Sequence, residues 1–307
     1  MKKILIFFVL IFQISFVFSQ NEAELKKYED SLKVLGKIII EGHTDFIKYN
    51  ANESFLTLLE SALLTEKSFD YPFDSLTSIA RLVSPDNKLR IFNWNLKKSD
   101  DTFEYFGLIQ FWSEKDKKYK IFSLNDSSET ILNPEMQILS NWRWYGAHYY
   151  KLILNKVGKK SYYTLLGWDG NDKLTQKKII DVLYFKSGDK PIFGAPLFKY
   201  NKKTYKRMIF EYSASVSMSL KYEKQYLLHG KKKTEMIVFD RVSPLNSNLS
   251  GQYQFYFPET NVFDAFVFKN GKWILEKEID ARLPKDSKKD RQHRKEIIKQ
   301  QKEHARE

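Results

Sequence analysis

The chain has no cysteine. That excludes disulfides, thiolate metal sites, a cysteine nucleophile and a lipid-modified cysteine near the N-terminus. Histidine is scarce, and His43, His148, His229, His293 and His304 are spread without metal-ligand spacing. No HExxH, glycine-rich phosphate loop or nucleophile elbow occurs. These absences argue against the enzyme classes that carry such motifs. A serine triad or a pair of hydrolytic carboxylates is defined by geometry and leaves no such trace. No proline precedes Pro72, whereas Pro72, Pro85, Pro134, Pro191, Pro196, Pro244, Pro258 and Pro284 punctuate the remainder and argue against long helices there. After Phe18, no apolar run approaches the roughly 20 residues that a membrane-spanning helix needs.

What is present begins with Met1-Lys2-Lys3, followed by an apolar run from Ile4 to Phe18 that only Gln13 and Ser15 interrupt. A short basic start, an apolar core of about 7–15 residues and a small residue at the exit are the pattern of a secretory leader. Cleavage is expected after Ser19, so the mature chain would start at Gln20. Usage rich in lysine, asparagine, isoleucine and phenylalanine is that of a low-GC bacterium. The expected destination is therefore the periplasm, the outer-membrane periphery or the cell exterior. Without disulfides the exported chain depends on its core, and 307 residues with 42% hydrophobic and 16% aromatic content are enough to build one. The formal charge is +13, and loss of Lys2 and Lys3 lowers it by two to +11. A basic surface suits anionic neighbours such as lipid headgroups or acidic glycans. The lysines are scattered, which is equally the pattern of a solvated face.

Between Glu22 and Ile40, Leu25, Tyr28, Leu32, Leu35 and Ile39 fall three or four apart, a helical stripe that Gly42 ends. Phe55, Leu58, Leu59, Ala62 and Leu63 define a second helix, with Asn52 as its expected N-cap. From Phe69 the period becomes two. The longest alternating run is Arg207 to Leu220, with Met208, Phe210, Tyr212, Ala214, Val216, Met218 and Leu220 on one face and mostly serine on the other. It exceeds the usual strand length of about 3–10 residues, so a bend or bulge is expected within it. Further strands are expected at 89–96, 103–112, 119–124, 142–154, 161–167, 179–185, 235–241, 252–257, 262–268 and 272–278. Ser84-Pro85-Asp86-Asn87, Asp169-Gly170 and Asn270-Gly271 are turn sequences, and the last predicts a two-residue hairpin. The fold class is α+β, mainly β: two N-terminal helices, then an antiparallel meander forming a sandwich, an open sheet or a barrel-like closure. The expected divisions are a leader at 1–19, a helical region at 20–68, a β domain at 69–284 and a polar tail at 285–307. That tail holds nine Lys or Arg and five Asp or Glu in 23 residues, and reads as solvated.

Three stretches carry residues of possible chemistry. In Leu165-Leu166-Gly167-Trp168-Asp169-Gly170-Asn171-Asp172, Asp169 and Asn171 alternate as calcium ligands do. Lys173 stands where a third ligand belongs and no distal glutamate follows, so a tight turn beside Trp168 is expected. In Asn141–Tyr150, a strand would set Trp142, Trp144, Gly146, His148 and Tyr150 on one face. Such a face suits either core packing or a platform for a sugar ring. In Glu41-Gly42-His43-Thr44-Asp45, three possible ligands alternate, but metal sites take three or four converging groups from more than one segment and Gly42 already explains the break.

The candidate ligand-binding residues are therefore Trp142, Trp144, His148, Tyr150, Trp168 and Asp169. No metal, cofactor or nucleic-acid partner is expected. The leading functional expectation is an exported, non-catalytic envelope protein that binds a protein partner or a glycan. A secreted hydrolase and an outer-membrane β-barrel are the alternatives. N-terminal sequencing of the exported protein is expected to begin at Gln20, and a mature form that retains Met1 would overturn the leader.

Overall fold

The structure is a computed structural model that describes residues 2–227 and 233–279, with side chains described from Asn21 onward. The expected polar tail at 285–307 lies outside the described residues. Helix α1 runs from Lys2 to Glu41 and α2 from Asp45 to Leu64. Leu25, Leu32 and Ile39 are spaced by seven and buried, as the stripe requires. The amide of Gly42 closes α1 on the Ile38 carbonyl at 2.9 Å. The cap of α2 is Thr44 rather than Asn52: the Thr44 hydroxyl accepts from the Ile47 amide at 3.3 Å, an interaction worth about 1 kcal/mol. Asn52 lies inside the helix, buried, where its Oδ1 accepts the Trp94 indole N–H at 2.7 Å. A mid-helix asparagine is unfavourable by propensity, and here a tertiary partner outweighs that.

Three sheets follow. The first is the meander β1 (Ala80–Val83), β2 (Leu89–Lys97), β3 (Phe103–Ser113) and β4 (Lys118–Asn125). The second contains β5 (Leu139–Ser140), β6 (His148–Val157), β7 (Lys160–Asp169), β8 (Thr175–Lys186) and β9 (Lys190–Phe193), in the order β5-β9-β8-β7-β6. The third contains β10 (Phe198–Tyr200), β11 (Lys203–Tyr205), β13 (Leu220–Tyr226), β14 (Lys233–Pro244), β15 (Tyr256–Lys269) and β16 (Lys272–Glu276), in the order β11-β10-β16-β15-β14-β13. Strand β12 (Met208–Ser213) pairs with the first half of β8. Pairing is antiparallel throughout except between β10 and β16. All three sheets are open, so the barrel option of the expected fold is not built among the described residues.

Alternation along the strands stacks these elements in layers. On β2, Phe92, Trp94 and Leu96 meet Leu32, Phe55 and Leu59 of the helices. The intervening Leu89 and Ile91 face Tyr149, Leu165, Ile179 and Leu183 of the second sheet. From that sheet's other face, Leu166, Ile180 and Val182 meet Ile237, Phe239, Phe266 and Trp273 of the third. The order is helix, sheet, sheet, sheet. Polar side chains pin the layers together. Asn93 accepts from the Tyr149 amide at 2.7 Å and donates to the Tyr149 carbonyl at 3.3 Å. Trp273 donates to Thr164 at 3.0 Å.

Three expected strands are corrected. The one at 252–257 is largely a 3-10 turn, Tyr253–Phe255, and only Tyr256 and Phe257 belong to β15. Arg207–Leu220 is not one strand. It ends at Ser213 in β12, turns, and restarts at Leu220 in a different sheet as β13. At the break, the Val216 amide bonds the Ser213 carbonyl at 3.3 Å and the Ser213 and Ser215 hydroxyls bond each other at 2.8 Å. Serine hydroxyls offer the backbone a local alternative to the ladder. The strand expected from Trp142 begins at His148, because Asn141–Arg143 is a 3-10 turn. That segment is tied to the exit of β4: the Trp144 amide donates to the Asn125 carbonyl at 2.9 Å, and the Gly146 amide donates to the Asp126 carboxylate at 3.1 Å. Asn270 and Gly271 do form a two-residue hairpin, both with positive φ, at 50° and 75°.

Arg207 and Asp181 form a wholly buried ion pair, with Nε to Oδ2 at 2.7 Å. Arg207→Met alone is expected to cost about 3–5 kcal/mol in urea denaturation, because it strands a buried carboxylate. Arg207→Met combined with Asp181→Leu should cost less than either change alone. A double variant less stable than both singles would show that the charges themselves carry the stability.

Candidate functional site

The Trp168–Asp172 corner is a turn. One oxygen of Asp169 accepts the Asn171 amide at 2.7 Å and the Tyr105 hydroxyl at 2.9 Å, and the Gly170 amide donates to that same hydroxyl at 2.8 Å. The other Asp169 oxygen lies 3.6 Å from the Lys177 amine. Asn171, not Gly170, takes the left-handed conformation, at φ 50°. Gly170 is required for space, because the Phe103 ring occupies the place of a β-carbon. Asp169 is thus engaged by donors, and among the described residues no three His, Asp or Glu side chains converge as metal ligands would.

The aromatic stretch divides. Trp142 stands on the 3-10 turn with 70% of its surface exposed, whereas Trp144 is 0% exposed and donates to the Tyr149 hydroxyl at 3.1 Å. A common face for Trp142, Trp144, His148 and Tyr150 does not form, since the strand that would align them starts only at His148. His148 stands opposite Trp168, and Trp168 opposite Lys178, in one row across β6, β7 and β8. Tyr150 sits at the bulge between Tyr149 and Lys151, its hydroxyl donating to the Leu220 carbonyl at 2.9 Å. The Lys178 amine lies 5.3 Å from the Tyr150 ring centre, a cation–π contact. Trp168 donates to Gln176 at 3.0 Å. Burial pushes both the His148 imidazole and the Lys178 amine below their usual ranges, and His148 Nδ1 is buried without a partner. Tyr150 and Trp168 thus stand beside Lys178, with His148 one strand further along the row, while Trp142, Trp144 and Asp169 have other partners.

A cleft of about 620 Å³ opens at the end of the second sheet, and none of the six residues singled out from sequence lines it. Its walls are aromatic. Phe111 of the first sheet stacks on Phe185 at 3.6 Å between ring centres, and Tyr162 meets Tyr184 at 5.4 Å. Lys88, Lys159, Lys160 and Lys186 stand among the lining residues with two carboxylates, Glu114 and Asp189. Both acids are engaged. Glu114 accepts from Lys88 at 2.6 Å and from Lys117 at 3.3 Å, and these hydrogen bonds hold its carboxyl down at about 2. Asp189 accepts from Ser113 at 2.5 Å and from Lys120 at 2.9 Å, and the Ser113 hydrogen bond first, then Lys120, depresses its carboxyl. Lys159, Lys160 and Lys186 have no such partner among the described residues. The sequence trace of this cleft is slight: Tyr162-Tyr163 and Tyr184-Phe185, each beside lysine at a strand end. Read singly, both are ordinary strand aromatics.

What fold and site define together is a helix-and-three-sheet protein with an aromatic, lysine-bearing cleft. No family model, no curated protein and no solved structure matches the chain.

The two tryptophans give a direct test of this placement. Trp144→Ala is expected to lower stability by about 3–5 kcal/mol, the penalty of a core aromatic, whereas Trp142→Ala should stay within about 0.5 kcal/mol. Urea melts of the two variants check it, and equal losses would refute the burial assigned to Trp144. Added calcium should leave the melting temperature of the wild type unchanged.

Proposed function

We propose that the protein is an exported, non-catalytic component of the cell envelope that binds a glycan in the cleft at the end of the second sheet. The observation that carries this reading is the aromatic lining: Tyr162 and Tyr184 side by side, with Trp112 and the stacked Phe111–Phe185 pair close by. Flat rings with polar tips suit the apolar faces and hydroxyls of a sugar. The volume falls within the roughly 300–1,000 Å³ typical of ligand pockets. The leader at 1–19 supplies the route to an envelope location.

A hydrolytic reading is supported less well. Acid catalysis at a glycosidic bond takes a carboxyl whose pKa is raised, and both cleft carboxylates are depressed by their donors. Burial pushes Asp126 and Asp181 upward, but neither lines the cleft, and Asp126 accepts from the Tyr105, Ser128 and Gly146 amides.

Tyr184→Ala is expected to weaken glycan binding about tenfold, equivalent to ~1.4 kcal/mol, with folding retained. Titration of envelope polysaccharides measures this. Release of reducing ends by the wild type would overturn the non-catalytic reading, and unchanged affinity in Tyr184→Ala would remove the cleft as the site.

A further inference from the structure

We infer that the glycan is acidic, carrying carboxylate or sulfate groups at regular intervals. This rests on the reading of the cleft as a glycan site and adds its chemistry. The ladder between β7 and β8 ends where Tyr163 pairs with Leu183, and continuing that register by one and three residues sets Tyr162 against Tyr184 and Lys160 against Lys186. The contact between the Tyr162 and Tyr184 rings at 5.4 Å agrees with that continuation. On the next strand, Lys190 pairs directly with Lys186. Lys160, Lys186 and Lys190 thus form a row across three adjacent strands, two residues beyond the tyrosine pair and on the same face.

A row of like charges at directly opposed positions destabilises a sheet. Lys160, Lys186 and Lys190 have no ion-pair or hydrogen-bond partner among the described residues, and neither has Lys159 in the adjoining turn. The one carboxylate of the β8–β9 turn, Asp189, takes φ 59° and reaches to Ser113 and Lys120 of the first sheet. The other acid of the cleft, Glu114, is held by Lys88 and Lys117. Each of the two cleft carboxylates is thus held by lysines of its own, and the lysines at the ends of β7, β8 and β9 stand beside the aromatic pair without one. The turn glycines Gly158 and Gly188 have open space where a β-carbon would stand, so both hairpin tips are unobstructed. A chain can pass along this end of the sheet.

Two residues of strand advance about 6.6–6.8 Å, close to the length of one sugar unit. A ring stacked on Tyr162 or Tyr184 then brings an acidic substituent of its neighbour over the lysine row. The anion supplies the counter-charge that the fold withholds, and aromatic stacking supplies the preference for a sugar over a simple ion. A neutral glycan would leave the lysine row uncompensated, and a small anion would leave the tyrosines without a partner.

The test titrates the full mature chain with polygalacturonate, dextran sulfate and neutral dextran at low and high sodium chloride. Three proteins are compared: wild type, a cleft triple (Lys160→Gln, Lys186→Gln, Lys190→Gln), and a control triple of equal charge loss on the third sheet (Lys199→Gln, Lys202→Gln, Lys203→Gln). Acidic polymers are expected to bind the wild type and the control. The cleft triple should lose about tenfold in affinity, and high salt should weaken the wild type in parallel. The cleft triple should melt no lower than wild type, because a repulsion has been removed. Preference between the carboxylated and sulfated polymers identifies the anionic group. Equal loss in the control triple would mean that net charge alone acts, and would overturn the inference. Binding of neutral dextran that Tyr184→Ala abolishes and the cleft triple spares would also overturn it, while leaving the glycan site standing. If no polymer binds, both readings fail.

Discussion

The Arg207–Asp181 pair is the interaction on which the stacking of the sheets turns. Both side chains are 0% exposed, and the pair sits at the end of the β8–β12 ladder, one residue beyond Met208 and Ile180. Asp181 lies on β8, within the second sheet. Arg207 stands at the entry to β12, and its Nη1 donates to the Pro134 carbonyl at 2.6 Å. Its own amide and that of Lys206 donate to the Glu135 carbonyl, at 3.2 and 2.8 Å. The guanidinium also lies over the Tyr145 ring at 5.6 Å. On the other side, the Tyr149 hydroxyl donates to Asp181 at 3.4 Å and accepts from Trp144 at 3.1 Å. Desolvation pushes the Asp181 carboxyl up, and the guanidinium beside it opposes that. A pair of this kind adds little net stability over an apolar replacement, but it admits few alternative arrangements. It fixes where the chain returns from the third sheet to the second.

The same economy of polar contacts orders the other boundary. Arg90 donates to the carbonyls of Ser68, Phe69, Tyr71 and Pro72, and its guanidinium lies 4.6 Å from the Phe92 ring centre. Burial lowers it to about 10, which leaves it charged at neutral pH. It thereby gathers the carbonyls of the segment that follows α2. Gln110 adds the Leu63 carbonyl at 3.1 Å. Two strands of the first sheet thus close the end of the helical layer, which a C-capping glycine does in many helices. Loss of either side chain would leave buried carbonyls bare, at about 1–3 kcal/mol each.

Elements whose signal is local were legible in the sequence. The spacing of Leu25, Leu32 and Ile39, the Asn270-Gly271 turn and the alternation of β2 and β3 each depend on neighbours within a few residues. What was illegible depends on partners far along the chain. Asn52 reads as a cap until Trp94 claims its oxygen. Arg207–Leu220 reads as one strand because alternation does not record which sheet each half joins. Trp142 to Ala147 reads as a strand because nothing local announces that Asn125, Asp126 and Ser123 will hold it in a turn. Of the candidate residues, Tyr150 and Trp168 stand beside Lys178 and His148 lies one strand beyond, a row that only the register of β6, β7 and β8 creates. The cleft was invisible, since Tyr162 and Tyr184 acquire meaning only when β7 and β8 are set in register.

That register explains why the cleft lies where it does. Stacking a helical layer and three sheets buries both faces of the first and second sheets, so the aromatic residues along their middles become core. Trp144 and Tyr149 are lost to the surface in this way. What such an architecture leaves for recognition is the ends of its strands, where the layers splay and the hairpins turn. Aromatics at those ends keep one edge in solvent, and the one acid of the β8–β9 turn, Asp189, is turned away to Ser113 and Lys120 of the first sheet. An aromatic pair beside Lys160, Lys186 and Lys190, which have no acid partner among the described residues, therefore arises from position in the fold. Moving the same residues a few places inward along β7 and β8 would convert the tyrosines to packing and make the lysines too costly to bury.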